Sequence, residues 1–202
     1  TKPKPTVILI HEWWGLNAHI KDIAQRFARE NFVALAVDLY SRLGNTVTKD
    51  SAEAAKLMES LKSQQALKDL NAAVRYLKGQ PFVDGWKLGT IGFCMGGTFA
   101  LMLAAHNSDI KAAVPFYGKV PPLETLEYLL CPVAYHYGAA DGWVTRQEVD
   151  RLQEERRLRT DNDIAGMLDE QLYAIAFNAS PYRWPVVGWM GDLESMQRQD
   201  LV

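Results

Sequence analysis

The amino-acid sequence predicts a domain of the α/β class, with a mostly parallel β-sheet flanked by helices. Short continuous apolar runs, typical of strands buried on both faces, alternate with segments whose apolar residues recur at helical spacing. This alternation favours strand–helix–strand units, which place parallel strands side by side and helices on the sheet faces. With 202 residues and 48% hydrophobic content, the chain is expected to form one sizeable domain.

The first half of the chain contains two strands and two helices of this kind. The apolar runs at 7–10 and 33–37 predict the strands. Two sets of apolar residues at helical spacing predict the helices: Ile20, Ile23, Ala24, Phe27 and Ala28 in the first, and Leu67, Leu70, Val74 and Leu77 in the second. The Gly-Gln-Pro sequence at 79–81 is expected to end the second helix.

The second half continues the alternation and then changes character. Strands are predicted at 88–93, 112–117 and 133–137, with a helix at 96–106 directly after the first of them. A capping-box pattern at 145–148 predicts the start of another helix. Charged residues then crowd the chain, so we predict a boundary between a domain over 1–150 and a separate helical tail over 151–202.

The chemistry is predicted to centre on the sequence Gly92-Phe93-Cys94-Met95-Gly96-Gly97, between a strand and a helix. It matches the Gly-x-nucleophile-x-Gly elbow of α/β-hydrolases, with cysteine in place of serine. The glycines are expected because a side chain there would collide with the adjoining strand and helix. The helix N-terminus favours the reactive thiolate of Cys94. The alternative is a buried structural cysteine beside glycines needed for packing.

An elbow of this kind needs backbone donors for the oxyanion that forms during acyl transfer. The first is expected to be the amide of Met95, directly after the nucleophile. The second is expected from the loop after the first strand, near Trp13.

Four sequence features together resemble the dienelactone hydrolase family over about residues 7–149. They are an acidic residue in the loop His11-Glu12-Trp13-Trp14-Gly15, the sequence Asp38-Leu39-Tyr40 after the next strand, the Gly-x-Cys-x-Gly-Gly elbow, and the aspartate of Tyr137-Gly138-Ala139-Ala140-Asp141. The resemblance implies an α/β-hydrolase fold and hydrolysis of carboxylic esters or lactones through a thioester acyl-enzyme. It also implies that no cofactor is required.

The same resemblance implies roles for three side chains. Cys94 attacks the ester carbonyl, Asp141 orients a histidine, and Glu12 holds the resting thiol and accepts its proton. Two alternatives stay open on the residues alone. Asp141 is also typical of an Asp-Gly turn, and Glu12 could be an exposed loop carboxylate.

The histidine of the expected triad should follow the aspartate along the chain, and none does. The four histidines are His11, His19, His106 and His136. His11 and His136 are interpreted as strand-end residues. The sequence therefore predicts a slow hydrolase, and the alternative is a catalytically impaired remnant or interaction module.

The tail over about 154–202 resembles an internal piece of the pitrilysin and insulinase type zinc peptidases. The zinc-binding sequence His-x-x-Glu-His is absent, so no metal and no peptidase activity are predicted. We expect a fusion in which this tail replaces the last elements of the hydrolase, covers bare sheet surface and forms a homodimer contact. The hydrolase is also expected to lack a strand or two at its N-terminal side.

Composition and charge exclude several other functions. The formal net charge of -2 argues against a nucleic-acid partner. No apolar run is long enough to span a bilayer, and two cysteines are too few for a disulfide scaffold, so a soluble, cytoplasmic protein is expected. The expected ligand is a small ester or lactone. Its identity stays open, because Arg42, Lys49 and Lys56 offer no convincing partner for a substrate carboxylate.

Overall fold

The computed structural model describes residues 2–138, 141–145, 147 and 150. The strands are β1 (Lys4–Ile10), β2 (Val33–Val37), β3 (Val83–Phe93) and β4 (Ile110–Phe116). The helices are α1 (Ala18–Arg29), α2 (Ser51–Ser60), α3 (Ser63–Lys78), α4 (Met95–His106) and α5 (Leu123–Leu126), with a short 3-10 turn at Ser41–Leu43. The predicted α/β architecture is confirmed.

The four strands form one parallel sheet in the order β2-β1-β3-β4. The chain runs from β1 to β2 on one side and then returns past β1 to β3 on the other. In open parallel sheets such a reversal leaves a crevice at the carboxyl ends of the two strands that flank it. Here that crevice lies after Ile10 of β1 and Phe93 of β3.

The strand predicted at 133–137 is replaced by two isolated parallel bridges beside β4, Ala113 to Val133 and Phe116 to His136. The amide of Ala134 donates to Ala113 O at 2.9 Å, and the amide of His136 donates to Pro115 O at 2.9 Å. Pro115 has no N–H with which to return a bond in this register. The missing donor explains why the pairing is interrupted.

Helices cover both faces of the sheet. On one face, α3 and α4 pack through Leu70, Val74 and Leu77 of the predicted apolar stripe, and α4 is buried along most of its length. On the other face, α1 packs on Val7, Leu9 and Ile91 through Ile20 and its partly buried neighbours. Ala28, expected in the stripe of α1, is exposed.

Helix α2 was not expected from the sequence. It begins after Asp50, whose side chain accepts a hydrogen bond from the amide of Glu53 at 2.8 Å and so caps the first turn. Only Ala54 of this helix is fully buried, which explains why no apolar stripe marks it.

Several predictions fall wholly or partly outside the described residues. Gln147 and Asp150 are helical, in agreement with a helix after Thr145, but the rest of that segment is not described. The tail over 151–202 lies outside the described residues, so its predicted covering and dimer contacts stay predictions. Within the part that is described, no helix is long and apolar enough to cross a bilayer.

Candidate active site

Cys94 lies at the sharp turn between β3 and α4, with φ 54° and ψ −123°. Residues other than glycine seldom adopt a positive φ, and such strain is often found at functional sites. The amide of Cys94 donates to Phe116 O of β4 at 2.9 Å, and its carbonyl accepts from the amide of Gly97 at 2.8 Å. The turn is therefore held by the neighbouring strand and by the first turn of α4.

The glycines of the elbow are required by close backbone approach. A Cβ on Gly92 would lie 1.9 Å from the carbonyl oxygen of Gly96, and a Cβ on Gly96 would lie 2.4 Å from the carbonyl oxygen of Ile10. Both distances are far below a normal contact, and the contacted atoms belong to the backbone. The predicted steric reason for the Gly-x-Cys-x-Gly spacing is confirmed.

Two backbone amides converge on the sulfur of Cys94. The N–H groups of Met95, the first residue of α4, and of Trp13, in the loop after β1, both donate hydrogen bonds to it. These are the two residues expected to provide an oxyanion hole. The structure therefore brings together donors that lie about eighty residues apart in the sequence.

Several neighbouring groups act on the thiol of Cys94 in opposite directions. Burial raises its pKa, and the nearby carboxylates of Glu12 and Asp141 raise it further, while the amides of Met95 and Trp13 lower it. The net shift is upward. The amide of Met95 at the helix N-terminus acts in the direction that the sequence predicted, but burial and two negative charges outweigh the amides.

Glu12 is half-buried at the crevice and is not an exposed loop carboxylate. Its Oε1 accepts a hydrogen bond from the hydroxyl of Tyr117 at 3.0 Å. Tyr117 follows β4 with φ 40°, and burial together with Glu12 raises the pKa of its phenol. Sequence reasoning missed Tyr117, although its position directly after a predicted strand could have indicated it.

Asp141 is both a turn residue and a neighbour of Cys94, the two alternatives that the sequence left open. Its Oδ1 accepts from the amides of Trp143 at 2.8 Å and Val144 at 3.2 Å, which organises the bend over 141–144. Its charge also acts on the Cys94 thiol. The aspartate therefore stabilises a turn and lies near the same site.

The four histidines of the chain are all among the described residues, and none hydrogen-bonds to Cys94. His11 is buried with both ring nitrogens engaged. His136 stacks on Phe116 at 4.5 Å, and burial lowers its pKa. His19 is exposed on α1, and His106 ends α4, about 16 Å along the helix axis from Met95 at 1.5 Å per residue.

The three basic residues considered for a substrate carboxylate are all exposed. Arg42 forms a two-pronged ion pair with Asp69 of α3, with Nη2 to Oδ1 at 2.7 Å and Nε to Oδ2 at 3.1 Å. This guanidinium lowers the pKa of Asp69. Lys49 and Lys56 are exposed.

A parallel sheet with helices on both faces, and a nucleophile elbow at the carboxyl end of an inner strand, define the α/β-hydrolase fold. The sequence profile described as "Dienelactone hydrolase family" matches residues 1–163. The chain belongs to this family. The match begins before and ends beyond the 7–149 expected from the sequence motifs.

Individual relatives agree with this assignment. A Methylorubrum extorquens protein, named as a candidate carboxymethylenebutenolidase, is 34% identical over 167 residues, which cover 77% of this chain and 57% of the relative. A Bradyrhizobium protein, named as a candidate 2-oxo-3-(5-oxofuran-2-ylidene)propanoate lactonase, is 36% identical over 151 residues, covering 69% of this chain and 60% of the relative. The chain thus spans less than two thirds of the length of these relatives.

Solved structures show the same likeness. A candidate dienelactone hydrolase of Klebsiella pneumoniae superposes with a TM-score of 0.72 at 31% identity, covering 78% of this chain and 70% of that one. A dienelactone hydrolase-like promiscuous phosphotriesterase from metagenomic libraries superposes with a TM-score of 0.69 at 31% identity, covering 78% of this chain and 66% of that one.

Proposed function

We propose that this protein hydrolyses small carboxylic esters or lactones with Cys94 as nucleophile. The sulfur attacks the carbonyl carbon while its proton passes to Glu12. The tetrahedral oxyanion is held by the amides of Met95 and Trp13. Collapse of this intermediate breaks the carbon–oxygen bond, the leaving alkoxide takes the proton from Glu12, and water hydrolyses the resulting thioester.

The convergence of the Met95 and Trp13 amides on one sulfur is the observation that carries this proposal. Such donors stabilise the charge that develops on a carbonyl oxygen during acyl transfer. A purely structural cysteine would not need them. The names of the Methylorubrum and Bradyrhizobium relatives support the substrate class, since both denote action on lactones.

The raised pKa of Cys94 fits a thiol that stays protected until substrate arrives. The proposed role of Glu12 is to receive the proton only when the thiol attacks. The role of Asp141 in orienting a histidine stays a proposal, because none of the four histidines forms a hydrogen bond with Cys94. Losing one triad member can lower the rate by a factor of about ten thousand while oxyanion stabilisation preserves measurable catalysis.

Hydrolysis of p-nitrophenyl acetate by wild type, Cys94→Ala and Cys131→Ala tests the proposal. Cys131 is the matched control, because it is the other free cysteine and burial raises its pKa to about 12. We expect Cys131→Ala to retain the wild-type rate and Cys94→Ala to lose it. Equal rates for wild type and Cys94→Ala would overturn the proposal.

A second candidate function is a catalytically impaired remnant that becomes acylated but cannot release the acyl group. The engagement of both His11 ring nitrogens favours it, since this ring is not free to activate water. A remnant should release no more than one p-nitrophenolate per chain. Sustained turnover of pure protein would exclude it.

We also propose that the segment over 151–202 is not catalytic and contributes to a homodimer, as its composition and its resemblance to a zinc-peptidase segment suggested. Sedimentation of the full chain and of a chain ending at residue 150 would test the dimer. A reducing, cytoplasmic location is proposed from the two free cysteines. The identity of the ester or lactone is left open by this proposal.

A further inference from the structure

The peptide bond between Glu12 and Trp13 supplies one of the two amides that face Cys94. A trans peptide is planar, with its carbonyl and N–H on opposite sides, so fixing the direction of one fixes the other. The carbonyl oxygen of Glu12 is hydrogen-bonded by Nδ1 of His11 at 2.5 Å and, at the longer distance of 3.2 Å, by the amide of Gly15. The N–H on the far side is the Trp13 donor to the Cys94 sulfur.

The protonation of His11 follows from its partners. The amide of Leu39 donates to His11 Nε2 at 3.0 Å, whereas Oδ1 of Asp38 lies 3.6 Å from the same nitrogen, beyond hydrogen-bond distance, so Nε2 acts as an acceptor and carries no proton. Nδ1 must then carry the ring proton and donate it to the carbonyl of Glu12. The ring is fully buried, which protects this arrangement from competition with water.

Tyr40 holds the next carbonyl along the loop. Its hydroxyl donates to Trp13 O at 3.0 Å, and its ring contacts that of His11 edge-on, with centroids 5.0 Å apart. Tyr40 is fully buried. The carbonyls on both sides of the Trp13 nitrogen are therefore fixed by two buried, mutually packed side chains, one from the end of β1 and one from the segment after β2.

We propose that His11 and Tyr40 are positioning residues that aim the Trp13 amide at the oxyanion, and that His11 is not a substitute for the missing base. This inference rests on the proposed function. A hydrogen bond to the carbonyl of Glu12 also polarises the peptide and strengthens its N–H as a donor. The Trp13 amide is therefore oriented before substrate binds, and such preorganised donors are what oxyanion stabilisation requires.

Three variants separate this role from general stability. Tyr40→Phe removes only the hydroxyl, which donates to Trp13 O at 3.0 Å and also lies 3.7 Å from the sulfur of Met95. His11→Asn places an amide donor near the position of Nδ1. The longer His11→Gln places its amide near Nε2 and leaves the carbonyl of Glu12 with only the longer hydrogen bond from the amide of Gly15, at 3.2 Å. Two reactions of Cys94 are then compared in each variant. Acylation by p-nitrophenyl acetate forms an oxyanion, and alkylation by iodoacetamide does not.

We expect His11→Gln to acylate about tenfold more slowly or worse, because removal of a full oxyanion donor lowers rates about a hundredfold or more. Tyr40→Phe should lose several-fold, and His11→Asn should recover most of the loss. The limiting alkylation rate at high pH should stay within about twofold of wild type in all three. The pH midpoint of the thiolate ultraviolet absorbance should rise in His11→Gln, because the Trp13 amide lowers the pKa of Cys94.

Two outcomes would overturn the inference. One is acylation at the wild-type rate in both Tyr40→Phe and His11→Gln, with an unmoved thiolate midpoint. The other is an equal fall of acylation and limiting alkylation, which would indicate general distortion of the elbow. Failure of the proposed function has a different signature, since wild type and Cys94→Ala would then react equally. If a His11 variant does not fold, Tyr40→Phe still tests the inference. The thiolate midpoint is a second readout that does not depend on hydrolysis.

Discussion

Gly92→Ala is the sharpest test of how the elbow is built. The added Cβ would lie 1.9 Å from Gly96 O, 2.3 Å from Gly96 C and 2.8 Å from Gly97 N. All three are backbone atoms in the first turn of α4, so rotation of a side chain cannot relieve the contact. To restore even 3.0 Å, β3 and α4 must separate by about 1 Å at this point.

The expected loss of stability follows from that separation. Forcing an extra methyl group into a packed core costs about 1–3 kcal/mol, and the reduced freedom of the unfolded chain on replacing glycine with alanine returns at most about 1 kcal/mol. We expect a net loss of about 2 kcal/mol in the free energy of unfolding. A shift of about 1 Å in a reacting group can also lower a rate about a hundredfold, so acylation of the folded fraction should fall steeply.

Urea unfolding of wild type, Gly92→Ala and Gly89→Ala measures the effect. Gly89 is the matched control, because it lies in the same strand and its added Cβ would meet its nearest atom, Ala112 O, at an ordinary 3.5 Å. Gly89→Ala should stay within about 0.5 kcal/mol of wild type. If Gly92→Ala unfolds at the same urea concentration as Gly89→Ala, the steric account of the elbow is wrong.

Three further predictions address charge and capping. The alkylation rate of Cys94 should reach half its maximum at a pH above the pKa of an ordinary cysteine, because the pKa of Cys94 is raised. Glu12→Gln should move that midpoint to lower pH by removing a negative charge. Iodoacetamide rates across pH measure both midpoints, and an equal midpoint in wild type and Glu12→Gln would contradict the effect assigned to Glu12. Arg42→Ala should leave ester hydrolysis unchanged and cause a small loss of stability at neutral pH. Because Arg42 lowers the pKa of Asp69, this contribution is present above the ordinary carboxyl pKa and is lost as pH falls through the folded value, so urea unfolding should show no difference between the two proteins in acid. Asp50→Ala should cost about 1 kcal/mol by removing the cap of α2, and a thermal midpoint equal to that of wild type would show that the cap contributes nothing.

Local sequence patterns were sufficient for much of the fold. The apolar run at 7–10 lies within β1 and is buried throughout, because a strand covered on both faces by helices is marked by continuous apolar residues whatever its neighbours are. The break beside β4 was not predictable from 133–137 itself, since it depends on Pro115 in the opposing segment. Helix α2 escaped prediction because it contributes little to the core.

The elbow belongs to what the sequence by itself determined. Its glycines and cysteine lie within six consecutive residues, so the spacing could be recognised in the sequence. The backbone atoms that exclude a side chain at Gly92 belong to this segment, whereas those at Gly96 and Gly97 belong to the end of β1 and to the region where β4 ends. Membership in the α/β-hydrolase class followed from this one motif and the alternation of elements.

The state of the thiol and the role of His11 were decided only by the tertiary structure. Glu12 and Asp141 act on Cys94 from distant parts of the chain, and the direction of its pKa shift depends on their distance and on burial. His11 is excluded as a base by a hydrogen bond from Leu39, which lies 28 residues away. Coulomb energies and hydrogen bonds depend on separations in space, and those separations exist only once the strands have been placed side by side.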